Sequence, residues 1–186
     1  EDDGLPVISD SGPAEALPGT PDIEAQPAAT SSAALIKVST DVFDIVISTA
    51  GGTLQGATLN AYPVAKDQPD TLVRLLATDG AEYGLIESGV RAADGAAEAT
   101  HLANFQAARS SYDIGDADEL SVPLTWQDAS GLKVEKRYRF TRGSYEIGLD
   151  QVVSNGTAAP WRGAEYVRIK RRSAEIERSM FNVDSY

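Results

Sequence analysis

The sequence contains no cysteine. Disulfides, thiol nucleophiles and cysteine-held metals are excluded together, although this absence assigns no compartment. Histidine occurs once, at His101, and no His, Asp or Glu spacing around it supplies the partners that a metal site or a general base requires. We read it as a surface histidine. No G-x-S-x-G, phosphate-binding loop or dinucleotide fingerprint occurs. No apolar run approaches the ~18–20 residues of a membrane span, and no charged-then-apolar leader opens the chain at Glu1. The sequence reads as an excised soluble piece whose membrane or export signals lie outside it.

Positive charge is missing from the first 36 residues, which hold seven acids and no Lys or Arg. The other 21 acids face all 16 basic residues, so most of the net charge of −12 belongs to this N-terminal stretch. Such a balance argues against nucleic acid or an anionic membrane surface as a partner. The same stretch carries five of the nine prolines, Pro6, Pro13, Pro18, Pro21 and Pro27. Proline at that density is incompatible with helix or sheet, and the few large apolar groups cannot offset the entropy of ordering. Residues 1–34 are therefore expected to be a disordered, acidic linker, with one folded domain at residues 35–186.

After Ala34 the pattern becomes period two. Ile36, Val38, Thr40 and Val42 alternate in one phase, and Phe43, Ile45, Ile47 and Thr49 in the other. The slip near Asp41–Phe43 calls for a bulge or for two separate strands. Gly51-Gly52 permits a tight turn, and "TLQGATLNAYP" returns as the partner strand. Further on, "ELSVPLTWQD" puts Leu120, Val122, Leu124 and Trp126 on one face. "DASG" is a turn, and the next strand sets Leu132, Val134, Tyr138 and Phe140 against Lys133, Glu135, Arg137 and Arg139. "SYEIGLDQVVSNG" then points Tyr145, Ile147, Leu149 and Val153 inward. These three runs predict an antiparallel meander with one wet face, and one buried cluster of Leu124, Trp126, Tyr138, Phe140 and Ile147.

The middle is less regular. Leu72–Leu76 and Tyr83–Ile86 suit short strands. The alanine-rich stretch after Arg91 reads as an irregular loop leading to a strand from about Phe105 to Ile114. Asn155-Gly156-Thr157 matches a glycosylation sequon but reads better as a hairpin turn. "WRGAEYVRIKRRSAEIERS" concentrates basic residues, which we read as a strand over 164–172. Arg168, Lys170 and Arg172 would then face solvent beside Glu165, Glu175 and Glu177, while Arg171 lies with Val167 and Ile169.

Two blocks of residues carry a resemblance. "VSTDVFDIVISTAGGTLQGATLNAYP" resembles the start of the large periplasmic domain of the YidC membrane-protein insertase family, where a V-x-T-D strand leads to I-x-T-x-G-G and then to a strand closing on Tyr-Pro. Thr40-Asp41, Ile47, Thr49, Gly51-Gly52, Leu59 and Tyr62-Pro63 fall in place. "LTWQDASGLKVEKRYRFTRGSYEIGLDQVVSN" is similar to a second block, with Lys136, Tyr138, Phe140, Arg142-Gly143, Tyr145, Val153 and Asn155 on its pattern.

The resemblance implies an all-β fold, an antiparallel β-supersandwich of the galactose mutarotase type, with its closing strands missing after "SMFNVDSY". It further implies a non-catalytic module at the periplasmic face of the bacterial inner membrane. Its expected partners are the Sec translocon and nascent membrane proteins. Insertion itself belongs to transmembrane helices outside this chain, so no catalytic, cofactor or metal residue is assigned. The alternative is a carbohydrate-binding or aldose-epimerase-like domain. That chemistry needs a base and an acid in reach of the sugar, which His101 alone does not supply. Of the two tryptophans, Trp126 patterns as core.

Overall fold

The computed structural model describes residues 33–93 and 95–172. Nearly all of the linker assigned to residues 1–34 lies outside them, as does the terminal "SMFNVDSY". Eleven strands make up the described residues: β1 (Leu35–Ser39), β2 (Phe43–Ser48), β3 (Thr53–Ala65), β4 (Gln68–Leu76), β5 (Gly84–Ala92), β6 (Gln106–Ala107), β7 (Ser111–Asp113), β8 (Glu119–Gln127), β9 (Leu132–Thr141), β10 (Ile147–Asn155) and β11 (Gly163–Arg171). They form two sheets. The larger runs β11-β5-β3-β2-β1-β7, with β4 also paired to β3, and the smaller runs β10-β9-β8-β6. Apart from the parallel pairing of β1 with β7, the named strands pair antiparallel.

The phase slip at Asp41–Phe43 proves to be two strands. β1 and β2 pair with each other across a turn, Ile36 opposite Ile47 and Val38 opposite Ile45. The side chain of Thr40 holds that turn: Oγ1 donates to Phe43 O (2.9 Å) and accepts from Phe43 N (3.1 Å). Gly51 and Gly52 both adopt positive φ, 69° and 59°, so the β2–β3 hairpin rests on two adjacent residues in the left-handed region. Side chains with a Cβ enter that region only at a cost.

The meander is β8-β9-β10, in register from Glu119↔Thr141 to Gln127↔Lys133 and from Ile147↔Phe140 to Asn155↔Leu132. Its inner face packs on that of β1 and β2. Ile36, Val38, Phe43, Ile45 and Ile47 meet Val122, Leu124, Val134, Tyr138 and Phe140 in one cluster. Trp126 and Ile147 are partly buried at its margin, so the cluster expected from the alternation is present. Period-two burial against a second sheet is what holds a sandwich together.

Several expectations need correction. Tyr145 lies just before β10 and is 48% exposed rather than inward. The two short strands of the middle are nine-residue strands, β4 and β5. The single strand expected from Phe105 to Ile114 is split: β6 joins the smaller sheet and β7 the larger. Asn155-Gly156 closes no hairpin, because the chain leaves β10 and crosses to β11 in the other sheet. The Asn155 side chain instead organises the crossover, accepting from Thr157 N (3.0 Å) and donating to Ala159 O (2.8 Å).

On β11 and just past its end, Lys170 and Arg172 are exposed as expected, but the rest of the pattern is not as expected. Tyr166 and Arg168 turn into a buried network, while Val167 and Ile169 are 60% and 67% exposed. The counter-charge of Arg168 comes from Glu87 of β5, opposite it in the ladder, and not from its sequence neighbours. Glu175 and Glu177 lie outside the described residues.

Candidate functional site

Lys136, a residue of the second sequence block, is a charged side chain in phase with an apolar stripe. It sits on β9 between Val134 and Tyr138, in phase with both, and therefore on the inner face. It is fully buried, and among the described residues no carboxylate pairs with it. Its Nζ donates to Gly51 O (2.5 Å), Ser88 O (2.7 Å) and Ser88 Oγ (2.9 Å). An ammonium has three donors, and all three are used. The Phe105 ring lies 4.8 Å from Nζ and presents its face to the charge. Burial pushes the lysine down from its ordinary value of 10.5 to about 7, because removing an ammonium from water disfavours the charged form.

The lysine thus ties the smaller sheet to the Gly51-Gly52 turn and to β5. Tyr138 completes the tie: its hydroxyl donates to Gly52 O (2.5 Å). Burial raises that phenol to about 12, the Ser88 hydrogen bond opposing the shift. A Cβ on Gly52 would come within 3.0 Å of the Lys136 stem. The glycine pair of one motif and the Lys-x-Tyr of the other are therefore two sides of one contact, 85 residues apart in sequence. Replacing Tyr138 by Phe leaves Gly52 O buried without that donor. The expected cost is about 1–2 kcal/mol, to be read by urea denaturation; an unchanged midpoint would contradict the assignment.

Several other motif residues bind backbone groups at turns and strand ends. The Asp41 carboxylate accepts from Gly143 N (2.9 and 3.1 Å), and Asn60 Nδ2 donates to Thr40 O (3.1 Å). Arg142 donates from Nε to Ala117 O (3.1 Å) and from Nη2 to Gly115 O. Thr49 accepts Ala34 N on its hydroxyl (2.9 Å). These side chains are engaged in closing turns.

His101 is not at the surface; it is 8% exposed. Its backbone N–H donates to the Tyr166 hydroxyl (2.9 Å), and Nδ1 lies 2.8 Å from the same oxygen. Arg168 Nη2 stands 2.8 Å from Nε2, and Arg168 Nε donates to Glu87 Oε2 (2.5 Å). A guanidinium only donates, so Nε2 accepts and the proton of the neutral ring sits on Nδ1, facing Tyr166. Tyr166 and Arg168 of β11, 65 and 67 residues away, cannot be read from local spacing. Among the described residues no group of three or more His, Asp or Glu is placed to hold a metal ion, and no helix is long and apolar enough to cross a membrane.

Fold and core together define a class: a β-sandwich module most of whose signature residues are committed to its own core and turns. Within that class, the chain belongs to the YidC periplasmic domain family, whose model matches residues 35–186. It is 39% identical to the membrane protein insertase YidC of Thioalkalivibrio sulfidiphilus over 191 residues, covering 96% of this chain and 33% of that protein. To the YidC insertase of Nitrosococcus oceani it is 36% identical, covering 91% of this chain and 31% of the relative. For that of Methylococcus capsulatus the identity is 41%, over 74% of this chain and 25% of the relative. The chain thus spans a quarter to a third of the length of these relatives.

Proposed function

We propose that this chain is the non-catalytic periplasmic module of a bacterial inner-membrane protein insertase and works by protein contact. The Sec translocon and nascent membrane proteins are its partners, and residues 1–34 serve as an acidic linker leading into the domain at residues 35–186. The observation that carries the reading is the family match across 35–186, with relatives that are named membrane protein insertases. The chemistry of the core supports the non-catalytic part. Lys136, buried and shifted, spends all three donors on Gly51 and Ser88, and both ring nitrogens of His101 are engaged by Tyr166 and Arg168. An aldose-directed reading would need an acid and a base open to the sugar, and these groups do not offer one.

Deleting this region from an otherwise intact insertase is the test. Membrane insertion is expected to continue, while co-purification with the translocon falls severalfold, since peripheral charged contacts chiefly set association rate. Loss of insertion would overturn the accessory role, and unchanged co-purification would overturn the contact role. Turnover of an aldose by the purified chain would replace both with the sugar-directed reading.

A further inference from the structure

Two tyrosines of the sequence motifs stand at the surface and serve no turn. Tyr62 is 51% exposed and Tyr145 48%. Their ring centroids are 6.2 Å apart with planes at 65°, an edge-to-face contact. Tyr145 is also stacked on Phe43, at 5.9 Å and 21°. Phe43 is buried and packs on Phe140. One side of the pair is therefore fixed to the core and the other is open.

Asp41 flanks this corner, bound to the backbone of Gly143, two residues before Tyr145. The Tyr145 hydroxyl is held above the usual tyrosine range, by desolvation first, then by the adjoining Tyr62 hydroxyl and the Asp41 charge. The neighbouring Glu146 is acidic as well. The guanidinium of Arg142 is committed to two carbonyls.

We propose that Tyr62, Tyr145 and Asp41 form a corner that receives an arginine or lysine side chain from a polypeptide partner. Aromatic faces attract a cation lying within about 6 Å of the ring centre, and the carboxylate adds a direct charge. Arginine suits the corner better, because its plane stacks on a ring while its edge reaches the carboxylate. Charge complementarity selects this occupant: beyond residue 36 the chain still holds 21 acids against 16 bases, and an anionic partner would meet the Asp41 carboxylate at the corner. The inference rests on the contact function proposed above and names the chemistry of the contact.

The test is an NMR titration of the 186-residue chain, following the tyrosine ring signals, with acetyl-Gly-Arg-Gly-amide and its citrulline counterpart. Citrulline keeps the shape and loses the charge. The arginine peptide is expected to shift both rings and to bind about three- to fivefold more tightly than the citrulline peptide. Asp41→Asn, which keeps an acceptor for Gly143 N, should weaken the arginine peptide by a similar factor. Tyr145→Phe should preserve the preference, and Tyr62→Leu with Tyr145→Leu should abolish it. Equal binding of the two peptides, or a preference that survives the double leucine variant, overturns the proposal. If the leucine variant fails to fold, the citrulline and Asp41→Asn arms decide. The peptide titration does not involve the translocon. A corner that selects arginine while translocon co-purification is indifferent to deletion keeps this inference and discards that partner; the opposite pair of results does the reverse.

Discussion

Raising the pH from 7 to 10 is expected to stabilise the domain relative to a Lys136→Met variant, by roughly 3–4 kcal/mol. Lys136 has its folded value depressed to about 7 from an ordinary 10.5. Between those two values the unfolded chain binds the proton and the folded chain has shed it. Unfolding then takes up a proton, so stability rises with pH through this window, approaching about 1.4 kcal/mol per unit in its middle. The contribution is fully present above 10.5 and is lost as pH falls through 7. Other groups that titrate in this range do so in both proteins and cancel in the difference. Tyr138 works the other way at higher pH: its phenol, raised to about 12, makes stability fall between its ordinary 10 and 12. The wild-type advantage should therefore climb towards pH 10, and wild-type stability decline beyond it. Denaturant midpoints of both proteins at pH 7, 8, 9 and 10 check this. Parallel curves would mean that Lys136 titrates alike in the folded and unfolded chains.

The same lysine shows where the sequence was legible and where it was not. Alternation placed Val134, Tyr138 and Phe140 on the inner face, and parity placed Lys136 with them. Residue type opposed parity, since lysine is almost never fully buried without a partner, and the partners were two backbone carbonyls and a serine far along the chain. A charged residue in phase with an apolar stripe was the available signal. The meander and the β1–β2–β3 hairpins were legible because each is closed by a local turn with its own chemistry. His101, Tyr166 and Arg168 were not, because their network spans β5, β11 and the segment between β5 and β6. On β11 the alternation itself was sound, but its phase was assigned from charge. The ladder to β5, which decides the phase, leaves no mark within nine residues of sequence.

The motif glycines carry the last expectation, because Gly51 and Gly143 separate two effects that usually come together. Both have positive φ, 69° and 71°, so alanine at either should cost about 1–2 kcal/mol of backbone strain. A Cβ on Gly143 meets nothing within 4 Å. On Gly51 it would stand 2.1 Å from His101 O and 2.7 Å from the carbonyl carbon, backbone atoms that no rotamer change can move aside. His101 is itself pinned through its N–H to Tyr166, and Gly51 donates its own N–H to Ala103 O (2.7 Å). Relief would require moving this segment away from the turn, which pulls Gly51 O off Lys136 and Gly52 O off Tyr138. Gly51→Ala is therefore expected to cost about 4 kcal/mol or more, in the range where small domains lose their fold. Gly143→Ala should lose only the strain and keep a cooperative transition. Thermal and urea melts of the two variants side by side decide it. Equal losses would show that the Gly51 turn adapts freely, and that the lysine tie does not fix its position.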